Sequence, residues 1–202
     1  MKIKLNVVLM AVAATLMLTS CAKFPEAAVQ TAKDEVEKAR TAGAEMYVAD
    51  QFAALQDSLN SVVTALETQK SKWFPNYDNE VTKMTAIGTM ANDVMVKTES
   101  RKIEIREEIQ ASLAQIQTLL TENNTLIASA PKGKEGTAAL VQIKEELAAV
   151  QTSASEAEKM LETGELLATR DKVSIAEQKA TAINTELKDV IAKYNQARGK
   201  KS

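Results

Sequence analysis

From Phe24 to the C-terminal tail, apolar residues recur at alternating steps of three and four, the spacing that lays one stripe along an α-helix. The stripe is clearest in Phe52, Leu55, Leu59, Val62 and Leu66, with Gln69 and Trp73 continuing the alternation. A seam this narrow predicts a helix packed lengthwise on other helices. Ahead of it a first helix is expected from Pro25, which suits an opening turn, to about Ala42. Gly43 is its stop, Met46, Tyr47 and Val48 form a short connection, and Asp50 is the expected N-cap of the second helix. Phe74, Pro75, Asn76 and Tyr77 end that helix, and Asp78 is placed to cap the next.

The third segment, residues 79–129, is expected as one helix spanning roughly 75 Å at 1.5 Å per residue, with Gly88 its weak point. Its earlier half relies on Val81, Met84, Ile87, Met90 and Val94, its later half on Ile105, Ile109, Leu113, Ile116, Leu120 and Ile127. Asn123 falls on that later seam, where a polar side chain fixes register. Residues 131–136, Pro-Lys-Gly-Lys-Glu-Gly, read as a loop closed by Thr137 as a cap. They do not match a phosphate-binding loop, which needs Gly, four residues, Gly, Lys and Ser/Thr after a strand. A fourth helix follows with Leu140, Ile143, Leu147, Val150, Ala154, Ala157 and Leu161, and a fifth with Val173, Ala176, Ala180, Ile183, Leu187, Val190 and Tyr194.

Displaced by 121 residues, the chain matches itself. Ala27–Thr31 falls on the identical Ala148–Thr152, and Glu35, Glu37, Lys38, Gly43, Asp50, Thr64 and Leu66 fall without a gap on Glu156, Glu158, Lys159, Gly164, Asp171, Thr185 and Leu187. The seam transfers as well, Phe52 to Val173 through Trp73 to Tyr194. The expected fold is therefore all-α, an elongated antiparallel helical bundle or coiled coil in which two duplicated helical hairpins flank a long central helix. The divisions expected are residues 25–77, a first hairpin; 78–136, the central helix and loop; and 137–202, a second hairpin with a basic tail.

Residues 1–20 have the layout of an export signal, with Lys2 and Lys4 ahead of an apolar run from Val7 to Leu18 and small residues at Thr19 and Ser20. The run falls short of the roughly 20 apolar residues of a spanning helix. Leu18, Thr19, Ser20 and Cys21 resemble the lipobox of bacterial lipoproteins. The resemblance implies cleavage between Ser20 and Cys21, acylation of Cys21, and a short linker over residues 21–24. Ala22, in place of an Asp, is similar to the residue found in lipoproteins passed on to the outer membrane.

Composition narrows the chemistry. Cys21 is the single cysteine, so once acylated it leaves none for a disulfide, and stability must come from packing. There is no histidine, which removes His general bases, Ser/His/Asp triads and most transition-metal sites. Taking Lys2 and Lys4 from the 25 basic residues leaves 23 against 27 acidic ones, a net charge of −4 with the signs interspersed. That balance lacks the concentrated basic field that nucleic acid requires. The remaining carboxylates, at helical spacing, read as solvated faces, and no cofactor or metal is expected.

Gly43, Ala44 and Tyr47 between Ala-rich helices resemble a helical-hairpin domain of uncharacterised function in Gram-negative lipoproteins, with Val48 and Ala49 where that family usually has Ala and Pro. The resemblance covers about residues 25–73 and implies a periplasmic, helical protein without known enzymatic activity. The expectation is a non-enzymatic scaffold or spacer, lipid-anchored at the periplasmic face of the outer membrane, with an envelope protein as partner. The alternative is a module that binds peptidoglycan or a hydrophobic ligand through Trp73, Phe74 and Tyr77. Those aromatic residues can stack on sugars, and they can equally cap the bundle core. The terminal Arg198, Gly199, Lys200, Lys201 and Ser202 resemble the wall-linked tail of murein lipoproteins, except that Ser202 and not lysine is last; a frayed basic tail is the simpler reading.

Overall fold

The computed structural model describes residues 23–131 and 134–199, and among them all regular structure is helical. The helices are α1 (Glu26–Thr41), α2 (Ala44–Tyr47), α3 (Ala49–Lys70), α4 (Asp78–Ser129), α5 (Lys134–Thr163) and α6 (Leu166–Gly199). The expected all-α class holds, and the central helix is continuous through Gly88. The chain forms two compact units, Met1–Arg101 and Lys102–Ser202, whose boundary lies within α4. Each unit thus joins one hairpin to one half of α4. The half-helix follows the hairpin in the first unit and precedes it in the second.

In the first unit α1 and α3 run antiparallel. The Phe24 ring, just before α1, lies under Lys70 Nζ at 5.0 Å at the end of α3, while Arg40 near the end of α1 lies over the Phe52 ring at 5.2 Å near the start of α3. Their seams close with the first half of α4 on one core: Ala32, Val36 and Ala39, then Phe52, Leu55, Leu59, Val62 and Leu66, then Met84, Ile87, Ala91 and Val94. Met90, expected on the seam, is 38% exposed, and Ala91 takes the buried position. A step of four from Ile87 keeps the stripe on the core face where a step of three would leave it.

In the second unit α5 and α6 pair antiparallel, since the ion pairs move from Glu156–Lys172 near the turn to Glu146–Lys179 farther from it. Their contact face is rich in small residues, with Ala154 and Ala157 on α5 and Ala176 and Ala180 on α6 all buried. The second half of α4 contributes Ile105, Ile109, Leu113, Ile116, Leu120 and Ile127 to the buried residues of this unit.

Several helix boundaries differ from expectation. α3 starts at Ala49 with Val48 at its N-cap and no side-chain cap, so Asp50 is a first-turn acid and not the cap. Residues 44–47 coil into the single turn α2. α5 begins at Lys134, inside the stretch read as a loop before Thr137. At α4, the Asp78 amide donates to the Asn76 side-chain oxygen at 2.9 Å, so Asn76 does the work assigned to Asp78.

The duplication has structural counterparts. Gly43 and Gly164, 121 residues apart, both reverse the chain in the left-handed region, with φ of 93° and 85°. At the second turn the Gly164 amide donates to Leu161 O and the Glu165 amide to Met160 O, which satisfies two orphan carbonyls of α5. Thr31 and Thr152 each return a hydroxyl to the carbonyl four residues back, at 2.9 Å in both, and Thr64 and Thr185 do likewise. Val36, Phe52, Leu55, Leu59, Val62 and Leu66 and their counterparts Ala157, Val173, Ala176, Ala180, Ile183 and Leu187 are all buried. The match ends there. α3 stops at Lys70, so Trp73 lies beyond the helix and off the seam, while Tyr194 lies on α6.

Only the first turn is covered by an aromatic ring. A Cβ at Gly43 would stand 3.2 Å from Tyr47 Cδ2 and Cε2, whereas one at Gly164, where Ala168 replaces the tyrosine, would meet nothing within 4 Å. Gly164→Ala is accordingly expected to cost about 1 kcal/mol, the strain of placing a Cβ at positive φ, and Gly43→Ala more. Adding Tyr47→Ala to the Gly43 variant should relieve the excess relative to Tyr47→Ala alone. Urea unfolding followed by helical circular dichroism checks this, and equal costs at the two glycines would contradict the ring contact as its cause.

Candidate functional site

The three aromatic residues singled out in the sequence do not act together. Ser71 caps the end of α3, the Lys72 amide turns back to Gln69 O at 3.0 Å, and Pro75, which a helix interior does not accept, follows in the non-helical connection. Trp73 and Phe74 project from this connection 89% and 84% exposed. Tyr77, three residues on, is 6% exposed and stands edge-on to the Phe24 ring, with centroids 5.7 Å apart and planes at 77°. Tyr77 is therefore part of the core and not of the contact surface, while Trp73 and Phe74 do not cap the core. Hydropathy cannot separate these rings; the helix ends decide it, because Tyr77 directly precedes the α4 stripe.

Lys23, Phe24, Lys70 and Tyr77 mark one end of the first unit, through the contacts of Phe24 with both Lys70 and Tyr77. Glu80, in the first turn of α4, is 5% exposed. Asn79 Nδ2 donates to its Oε1 at 3.4 Å, and its Oε2, though buried, has no hydrogen-bond partner. A carboxylate in a helix's first turn is favoured by the partial positive charge there.

The second unit offers a surface trough between α5 and α6, about 490 Å³ in volume, with Ala149, Val150 and Ser153 on one side and Lys172, Ile175, Ala176 and Lys179 on the other. Ile175 is 68% exposed on its rim. This feature escaped the sequence reading, although Ile175 sits off the α6 seam, which is the sign of an apolar residue the core does not use. Both rim lysines pair with α5 acids, Lys172 with Glu156 and Lys179 with Glu146 at 3.9 Å. The hydrogen bond from Lys172, with its charge, holds the Glu156 carboxyl below the usual glutamate value, and Lys188 does the same to Glu122 across 2.9 Å. Glu35 in turn raises the Lys38 ammonium above its usual 10.5.

Asn123 is fully buried. Its Nδ2 donates to Ala180 O at 3.0 Å, and Asn184 Nδ2 donates to its Oδ1 at 2.8 Å. The pair pins α4 to α6 at one longitudinal setting, the register role expected of it. Ser20 and Cys21 lie outside the described residues, as do Lys200, Lys201 and Ser202. Among the described residues no group of three or more His, Cys, Asp or Glu is placed to hold a metal ion, and no helix is long and apolar enough to cross a membrane. What these surfaces offer is contact: an aromatic pair at one end of the first unit and a shallow lysine-edged trough on the second. No family model, curated protein or solved structure matches the chain.

Asn123→Ala is expected to destabilise the second unit by about 2–4 kcal/mol, because it opens a cavity and strands the Asn184 donor. Asn184→Ala should cost less, since the bond to Ala180 survives, and the double variant should cost less than the two combined. Urea unfolding of the four proteins measures the coupling. In NMR titrations Glu156 should lose its charge at a lower pH than exposed glutamates, and Lys172→Met should move its midpoint up. A depressed carboxyl contributes stability above the unfolded glutamate value and loses it as pH falls through the lower folded one. The raised Lys38 behaves conversely, contributing below 10.5 and losing that contribution as pH rises through its higher folded value. All three pairs are exposed, so added salt should shrink these shifts.

Proposed function

We propose that this chain is a non-enzymatic, lipid-anchored protein of the bacterial cell envelope that holds or spaces a protein partner. The observation that carries the reading is Leu18, Thr19, Ser20 and Cys21 directly after an apolar run, with Cys21 the only thiol. Acyl chains on Cys21 supply membrane affinity at about 0.8 kcal/mol per buried methylene, and more than one chain makes it stable. The two helical units support a scaffolding role because each is rigidified by long seams and presents helix ridges to its surroundings. Ala22 in place of an acidic residue supports the outer membrane, on its periplasmic side. A second reading, a module for peptidoglycan or a hydrophobic ligand, is favoured by the exposure of Trp73 and Phe74.

Expressing bacteria fed labelled palmitate should incorporate it into this protein, and Cys21→Ser should abolish incorporation and leave the larger, uncleaved chain. Absence of label in the unaltered protein overturns the anchor, and with it the compartment and the scaffold. Retention of the mature chain on purified cell wall, lost on Trp73→Ala, is what the second reading requires.

A further inference from the structure

Folding does not account for Trp73 and Phe74. Two large rings stand side by side in solvent, 89% and 84% exposed, while Phe24 and Tyr77 at the same end of the unit pack against one another. Bulky aromatic residues exposed in sequence neighbours mark a surface that another phase or molecule covers. Their position says which. The connection that carries them starts after Lys70 and ends at Tyr77, and Phe24 touches both. The chain therefore enters the described structure, at Lys23, beside this connection. From Lys23 back to Cys21 is two residues, a reach of at most about 7 Å. Whatever surface holds Cys21 is thus within a few ångströms of this end of the first unit.

We propose that Trp73 and Phe74 form a membrane-interface foot, inserting into the headgroup region of the bilayer that holds Cys21. Tryptophan suits that region because its ring is apolar while its N–H still reaches water or a headgroup oxygen. Attraction to anionic lipid does not drive the contact. Lys23, Lys70 and Lys72 at this end are offset by Glu26, Glu67 and Asp78, and Lys70 is already paired with Glu67 at 3.9 Å. The foot gives the tether a second point of contact, so that the first unit stands with this end on the lipid. It goes beyond the anchor reading and rests on it for the identity of the surface.

Trp73 is the chain's only tryptophan and Cys21 its only cysteine, so one protein carries both the tether and the reporter. The chain from Cys21 onward, coupled through that thiol to a maleimide-headgroup lipid in phosphatidylcholine vesicles, presents the foot to a bilayer whether or not bacteria acylate it. The Trp73 emission should shift to the blue on coupling, be quenched by lipids brominated along their acyl chains, and lose access to aqueous iodide. Adding anionic lipid should change little. Without the tether, Trp73→Ala with Phe74→Ala should weaken partitioning onto the same vesicles by roughly tenfold or more, given the area these rings bury.

Emission that stays aqueous on the tethered protein overturns the foot, and a shift seen only with purified cell wall reassigns the pair to the wall. A concentration-dependent shift without lipid would overturn it in favour of self-association. Failed palmitate labelling with a positive vesicle result leaves the membrane contact standing while the natural anchor falls. The two ideas therefore fail separately.

Discussion

The structure depends on a stripe of side chains one residue wide, repeated at steps of three and four, on helices whose polar cross-links, such as Asn123 to Ala180 and Asn184, are local. No disulfide is open to a chain with one cysteine. Each helix must therefore lie along its neighbours, so that a narrow seam can exclude enough water. α4 shows the constraint most fully, because the first unit buries Met84, Ile87, Ala91, Val94 and Thr98 from it and the second buries Ile105, Ile109, Leu113 and Ile116. Between them, residues 99–104 contain no buried side chain, only the half-buried Arg101 and Lys102. The unit boundary falls inside this gap. Past it the stripe advances by two consecutive steps of four, Ile105 to Ile109 to Leu113. One continuous helix thus supplies a seam to each of two cores.

The duplication follows the same economy. A hairpin needs a reversal that keeps its two seams facing, and a glycine at positive φ supplies it in both copies. The copies then diverge where packing permits. The first interrupts its second helix at Val48, with φ of −141°, and lays Tyr47 across Gly43; the second runs straight on from Leu166, with Thr169 buried and its hydroxyl bonded to Glu165 O at 2.7 Å. In the first copy the Tyr47 ring packs over the face that Gly43 leaves bare.

Much of this was legible from residue order alone. Periodicity placed most of the seams, though Val190 and Tyr194, expected on the last one, are each 46% exposed, and the buried Asn123 announced itself as a polar residue on an apolar stripe. Where the reading slipped, it did so at helix ends. A pattern of threes and fours cannot say whether a helix ends at Lys70 or continues to Trp73, since Gln69 and Trp73 both satisfy the spacing. Likewise Met90 and Ala91 are one position apart, and the sequence favours the larger residue although the core took the smaller. The trough beside Ile175 was harder to see for another reason: apart from Ile175, off the α6 seam, its lining residues are ordinary ones of two paired helices.

Trp73 and Phe74 mark where the logic of the fold stops applying. Their neighbour Tyr77 shows that a ring in this connection can be buried, so the fold had the means to take one in. Pro75 instead ends any helical continuation after Lys70, and the two rings are left beyond the last stripe position. Exposed apolar area of this kind orders water and invites association, a standing cost that a purely structural connection would shed by substitution with polar residues. The same six-residue connection sits beside Phe24, the point where the chain leads back toward Cys21. The tether proposed at that point and the uncovered aromatic pair beside it would be explained together by one surface, and separately each needs its own reason.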